Sequence, residues 1–137
     1  MAEEVKEEKK EEAVKKKILL VDDDPDLLFV LSKTIESWGY TVATAHSGRE
    51  AISSIISNEF DIVILDYMMP ELNGIATLKE IRKVNTKITA ILFTVDLDSV
   101  PIKDTEGLDI STFIPKWYPE AMLKTAVDMA AKKLDEQ

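Results

Sequence analysis

Short, wholly apolar runs alternate along this chain with longer segments whose apolar residues recur every three or four positions. Ile18-Leu19-Leu20-Val21 is an uninterrupted aliphatic run followed at once by Asp22-Asp23-Asp24. A run without polar alternation is the pattern of a strand buried on both faces, and its polar end marks where the strand leaves the core. Asp24 and Pro25 read as an N-cap and a first helical residue, after which Leu27, Leu28, Leu31, Ile35 and Trp38 repeat on one face until Gly39. Residues 40–45 have strand composition. Ser47-Gly48-Arg49-Glu50 has the form of a capping box, opening a helix with Ala51, Ile52, Ile55 and Ile56 turned inward. Ile62-Val63-Ile64-Leu65 runs straight into Asp66, and a loop over 67–73 leads to a helix carrying Ile75, Leu78, Ile81 and Val84. Residues 88–95 form a fourth strand with Thr94 near its end, and 112–115 a fifth ending at Lys116. A last helix over about 119–134 has Met122, Ala126, Met129 and Ala130 as its apolar side.

This alternation predicts an α/β fold, a doubly wound sheet of five parallel strands with helices on both faces. The stretch 96–109 interrupts it. Pro101 and Gly107 lie there with little amphipathic period, so the fourth helix is expected to be short, irregular or absent. The folded domain is expected over 18–134, with 135–137 as its C-terminal end. Residues 1–17 hold six Glu and six Lys, with Val5 and Val14 as the only large apolar groups beyond Met1. Too little apolar surface is present to offset the entropy of ordering, so a charged, disordered or fraying tail is expected.

Composition narrows the function. No apolar run approaches the length needed to cross a bilayer, and cysteine is absent from the 137 residues. A cytoplasmic protein without membrane contact, disulfides or thiolate chemistry is the expectation. Seventeen basic against 26 acidic residues give a net charge of −9, the wrong sign for direct nucleic-acid binding through bulk charge.

In open parallel sheets the ligand site lies outside the carboxyl ends of the strands. The residues delivered there are Asp22, Asp23, Asp66, Thr94 and Lys116. Crowded carboxylates repel unless a cation sits among them, and an all-oxygen acidic site without His or Cys points to Mg²⁺. A carboxylate beside a metal is also a competent nucleophile toward phosphorus, with a lysine and a hydroxyl placed to hold phosphoryl oxygens.

The run Ile-Leu-Leu-Val-Asp22-Asp23-Asp, the run Ile-Leu-Asp66-Tyr-Met-Met-Pro70-Glu-Leu-Asn-Gly74, the strand end at Thr94 and Phe113-Ile-Pro-Lys116 together resemble the receiver domain of two-component response regulators. The resemblance covers residues 17 to about 134. It implies a flavodoxin-like strand order 2-1-3-4-5 and a phosphorelay switch in which Asp66 accepts a phosphoryl group from a histidine kinase or phosphotransfer protein. It implies further that Asp23, Asp66 and the Met68 backbone carbonyl bind Mg²⁺ directly, with Asp22 acting largely through water. Thr94 would close on the phosphoryl group, Lys116 would pair with it, and Phe113 would change burial as Thr94 moves. Such a chain would catalyse only its own phosphorylation and hydrolysis, and would signal through a downstream protein partner. It ends just past the last helix, as expected of a stand-alone receiver or of one excised from a larger protein.

Two departures from the family pattern stand beside the site. Trp117 occupies the position where the family usually has proline. A cis bond before tryptophan costs roughly 2.5–4 kcal/mol, so a trans bond and a re-routed loop are expected, with Lys116 aimed somewhat differently. Val95 follows Thr94 where a small residue is usual, and Asp96 adds a charge nearby; both are expected to modulate phosphoryl transfer and hydrolysis. These departures support an alternative, a phosphorylation-independent pseudo-receiver acting as a protein-binding module. A Mg²⁺-dependent phosphatase or flavin protein of similar architecture fits less well, because Tyr67 and Met68 follow Asp66 where a second aspartate would stand. Asp24 is read as a cap only, and the lone His46 as incidental.

Overall fold

The computed structural model describes residues 15–136. Five parallel strands, β1 (Lys17–Val21), β2 (Thr41–Ala45), β3 (Ile62–Leu65), β4 (Thr89–Thr94) and β5 (Ile110–Pro115), form one sheet in the order β2-β1-β3-β4-β5. Four helices flank it: α1 (Pro25–Ser37), α2 (Gly48–Ser57), α3 (Gly74–Val84) and α4 (Glu120–Asp135). Strand periodicity divides the core in two. Leu19, Val21, Val63, Leu65, Ala90 and Leu92 meet α2 and α3 through Ala51, Ile55, Ile75, Leu78 and Ile81. The alternate residues Ile18, Leu20, Ile62, Ile64, Ile91 and Phe93 meet α1 and α4 through Leu28, Leu31, Ile35, Leu123 and Val127. Both faces are covered, which is why β1 and β3 read as unbroken aliphatic runs.

The helix starts follow their caps. The Asp24 carboxylate accepts hydrogen bonds from the N–H groups of Asp26 and Leu27, Ser47 Oγ from Glu50 N–H, and Asn73 from Ala76 N–H. Gly39, at φ +101°, turns the chain after α1.

Several boundaries and faces differ from the sequence expectation. Lys17, assigned to the tail, begins β1, where Asp61 accepts its N–H at 2.8 Å. Residues 1–14 of the expected tail, and Gln137, lie outside the described residues. Strand β5 begins two residues earlier than expected, and α4 includes Asp135. Ile56 and Val84 are exposed rather than inward. The buried face of α4 is Leu123, Val127 and Ala131, whereas Met122 and Met129 are exposed. That helix carries two neighbouring apolar stripes, and period alone does not say which one meets the sheet.

No α-helix forms between β4 and β5. Two 3-10 turns, Leu97–Ser99 and Ile102–Thr105, take its place, held to the core by Val100 and Leu108. The Arg82 guanidinium clamps the far end by donating to the carbonyls of Leu108 (2.9 Å), Ile88 (2.6 Å) and Asp109 (3.2 Å). Among the described residues, no helix is long and apolar enough to cross a membrane.

Candidate functional site

Asp22 and Asp66 are the first residues beyond β1 and β3, and each stays tied to the sheet. Asp22 N–H donates to Ala45 O at 3.2 Å, and Asp66 N–H to Val21 O at 3.0 Å. Both side chains are buried, whereas Asp23 is exposed at the rim. One carboxylate oxygen from each of the three lies within 4.8 Å of the others. Thr94 ends β4 and is fully buried. Lys116 follows β5, and its N–H donates to Thr94 O at 2.8 Å, which sets lysine and threonine side by side.

The Lys116 ammonium donates to the Asp22 carboxylate and lies 3.2 Å from Asp66 Oδ2. Met68 N–H donates to Asp66 Oδ1 at 3.3 Å, so Asp66 is held from two sides. Burial raises the Asp66 pKa, the Asp22 charge raises it further, and Lys116 opposes both. For Lys116, burial works against the ammonium, but its hydrogen bond to Asp22 and the Asp66 charge outweigh this and hold its pKa above the ordinary value. Thr94 Oγ1 has no hydrogen-bond partner despite complete burial. An orphan buried hydroxyl is costly, and it leaves Thr94 with an uncommitted donor at the end of β4.

Four of the five strand-end residues anticipated from the sequence, Asp22, Asp23, Asp66 and Lys116, therefore converge, and the fifth, Thr94, lies beside Lys116 on the neighbouring strand end. The Lys116–Trp117 bond is trans, as expected, since no cis peptide occurs among the described residues. With this trans bond, Lys116 reaches both carboxylates. Trp117 projects outward at 72% exposure, edge-on to the Tyr118 ring at a centroid distance of 4.5 Å. Val95 is 54% exposed beside Thr94. Asp96 has a structural task, accepting Asp98 N–H at 3.1 Å to cap the first 3-10 turn. Phe113 is partly buried against the α2–α3 side of the core. His46 is exposed, and no described residue bonds to its side chain.

One site residue carried more weight than its motif suggested. A Cβ on Gly74 would lie 2.3 Å from the carbonyl oxygen of Asp66, so only glycine lets the start of α3 close on the acidic loop. Gly74 N–H donates to Tyr67 O at 2.8 Å and fixes that closure. A glycine directly after an Asn cap was the available signal.

Residues 18–128 match the family model described as the response regulator receiver domain. The chain belongs to that family. Among curated relatives, this receiver is 44% identical over 65 residues to the transcriptional regulatory protein ZraR of Escherichia coli (strain K12), covering 47% of this chain and 15% of ZraR. It is 43% identical over 69 residues to the response regulator SaeR of Staphylococcus aureus (strain USA300), covering 50% and 30%. The chain thus aligns with under a third of the length of each. Among solved structures, the response regulator TrrA of Thermotoga maritima, in complex with Mg(2+)-BeF, superposes with a TM-score of 0.77 at 30% identity, over 84% of this receiver and 98% of TrrA. The signal receiver domain of an HD domain-containing protein from Pseudomonas fluorescens Pf-5 gives 0.83 at 26% identity, over 90% and 99%.

Proposed function

We propose that this receiver is a phosphoacceptor switch of a two-component phosphorelay. The observation that carries the reading is the 3.2 Å contact of Lys116 with buried Asp66, with the unpartnered hydroxyl of Thr94 on the strand end beside Lys116. A carboxylate oxygen of Asp66 attacks the phosphorus of a phosphohistidine on a histidine kinase or phosphotransfer protein. The P–N bond breaks with its electron pair on the imidazole, which takes up a proton, and an O–P bond forms. Lys116 then compensates charge on the transferred oxygens, and the Thr94 hydroxyl donates to one of them. Water later cleaves the acyl phosphate and restores Asp66, so the chain acts on itself alone.

The donor set fits Mg²⁺: three carboxylates, no nitrogen or sulfur ligand, and an exposed rim through Asp23 for water. Asp22, Asp23, Asp66 and the Met68 carbonyl would hold the ion, which would supply positive charge to phosphoryl oxygens. The Mg(2+)-BeF complex of TrrA supports this assignment. Output through a downstream protein, in the cytoplasm, completes the reading.

Intact-mass measurement after incubation with Mg²⁺ and a small phosphodonor, or a cognate kinase, tests it. One phosphoryl group is expected on the wild type and none on Asp66→Asn. A wild type that is never labelled by either donor would hand the molecule to the binding-module reading that Val95 and Trp117 motivate.

A further inference from the structure

Glu71 is a backbone outlier in the loop that follows Asp66. Its φ of +67° lies in the left-handed region, and across it Leu72 N–H donates to Pro70 O at 2.7 Å. A three-residue turn of this hand is rare and strained. Such strain persists only where the surroundings over-determine the backbone, and it clusters at functional sites. The turn shares its loop with Met68, whose carbonyl is a candidate metal ligand.

Two close approaches hold this loop. At its far end Gly74 meets the carbonyl of Asp66. At the turn itself, Leu72 rests on Gly48, the first residue of α2. A Cβ on Gly48 would lie 3.0 Å from Leu72 Cδ2, 3.1 Å from Leu72 Cβ and only 2.2 Å from Thr77 Oγ1. Gly48 and Thr77 are buried, Thr77 completely. The Thr77 hydroxyl donates to Asn73 O at 2.8 Å, the carbonyl that also accepts Thr77 N–H at 2.9 Å, so the residue after the turn is held twice. The Arg49–Glu71 pair, 3.7 Å apart and exposed on both sides, adds little by comparison.

The start of α2 is tied to the other flank of the pocket as well. Ala45 O, at the end of β2, accepts the Asp22 N–H, and only His46 and Ser47 separate Ala45 from Gly48. One short segment thus holds Asp22 at its beginning and backs the Leu72 turn at its end.

We propose that Gly48 and Thr77 are positioning residues for the acidic site, backing the 70–72 turn so that the Met68 carbonyl keeps its place relative to Asp22 and Asp66. The inference rests on the Mg²⁺-dependent phosphoacceptor reading. Groups that orient a ligand from behind typically change metal affinity by about 10–100-fold when altered. Thr77 is β-branched and fully buried with its hydroxyl committed, so it has little freedom to rotate away from a Cβ at position 48. The start of α2 and the turn must then part, and the Met68 carbonyl moves with its loop. Thr77→Ala removes the atom at 2.2 Å and leaves mainly the Leu72 side chain, whose end can turn aside.

Amide NMR of the full chain, titrated with Mg²⁺ alone, reads loop geometry and metal affinity in the same spectra. Gly48→Ala should displace the Met68 and Leu72 signals before metal is added and weaken Mg²⁺ binding about tenfold. The double variant Gly48→Ala/Thr77→Ala should bind within about twofold of Thr77→Ala alone, and Thr77→Ser, which keeps the hydroxyl, should match wild type. Ile81→Val trims the α3 core away from the turn, so it should lower the melting temperature and leave Mg²⁺ affinity unchanged, which separates positioning from lost stability. Should Gly48→Ala not fold, Thr77→Val decides: its bulk stays, its bond to Asn73 goes, and Mg²⁺ binding should weaken about threefold. Wild-type Mg²⁺ affinity in folded Gly48→Ala, no rescue by Thr77→Ala, or a Thr77→Val indistinguishable from wild type would each overturn the inference alone. A wild type whose Asp23 and Met68 amides ignore Mg²⁺ would overturn the metal assignment and this inference with it.

Discussion

At the scale of single residues, the site depends on what is kept small as much as on its charges. Gly74 admits the carbonyl of Asp66 where a Cβ would sit at 2.3 Å, against backbone that has no side-chain freedom to yield. Gly74→Ala should therefore cost about 2 kcal/mol or more and displace the acidic loop, lowering both the urea midpoint and the rate of Asp66 labelling. Val95 makes the opposite case, adding bulk beside fully buried Thr94 at the rim. In-line attack requires reacting atoms within about 3–3.5 Å, and small obstructions are expensive. Val95→Ala should speed both labelling by a small donor and loss of the phosphoryl group, by about threefold. Unchanged rates would show that the isopropyl group leans away from the mouth and leave this departure without mechanistic weight.

At the scale of elements, the connection between β4 and β5 is where the molecule replaces a helix with a clamp. Arg82 reaches from α3 to carbonyls of both Ile88 and the 108–109 turn, whose Asp109 lies at φ +54°. Removing the guanidinium leaves several partly buried carbonyls without donors. Arg82→Met should lose about 2–4 kcal/mol in chemical denaturation and raise amide exchange across 100–109 more than in β1 or β3. The sequence announced the missing helix through Pro101 and Gly107, but not the clamp, because an arginine on a helix reads as a solvated charge until its partners are known. The same holds for α4. Burial alone would raise the Asp128 pKa, but hydrogen bonds from Lys124 and Tyr40 outweigh it and hold the carboxylate below the usual 3.8. A depressed carboxylate pKa contributes stability above the unfolded-state value and loses it as pH falls through the folded-state value. Asp128→Asn should thus melt below wild type at pH 7, and the gap should close on acidification below about 3.8. Strand runs and the acidic trio were legible because β1 and β3 are buried on both faces and their polar ends are abrupt. The face of α4 was not, and on α2 Ile56 turned outward while Ala51 and Ile55 faced the core as expected, because helices with apolar residues on more than one side need the sheet to choose between them.

At the scale of the whole molecule, the acidic pocket is a charge imbalance built by three strand ends, those of β1, β3 and β5. Three carboxylates face one ammonium, and Lys116 already serves both Asp22 and Asp66. Burial and the neighbouring Asp22 charge raise the Asp66 pKa, so holding Asp66 ionised costs folding free energy that the single lysine does not fully offset. A divalent cation bound only by the folded state should recover that cost by linkage, so millimolar Mg²⁺ should raise the melting temperature by a few degrees. Two variants should move this response in opposite directions. Asp23→Asn removes a ligand and lessens the repulsion, so it should reduce the Mg²⁺-induced shift. Lys116→Met removes the internal counter-charge, so it should melt lower without metal and gain more from Mg²⁺ than wild type does. Thermal melts of the three proteins with and without Mg²⁺ separate these contributions. Equal shifts in all three would mean that the ion acts elsewhere on a chain of net charge −9, and would remove the strand-end trio as its site.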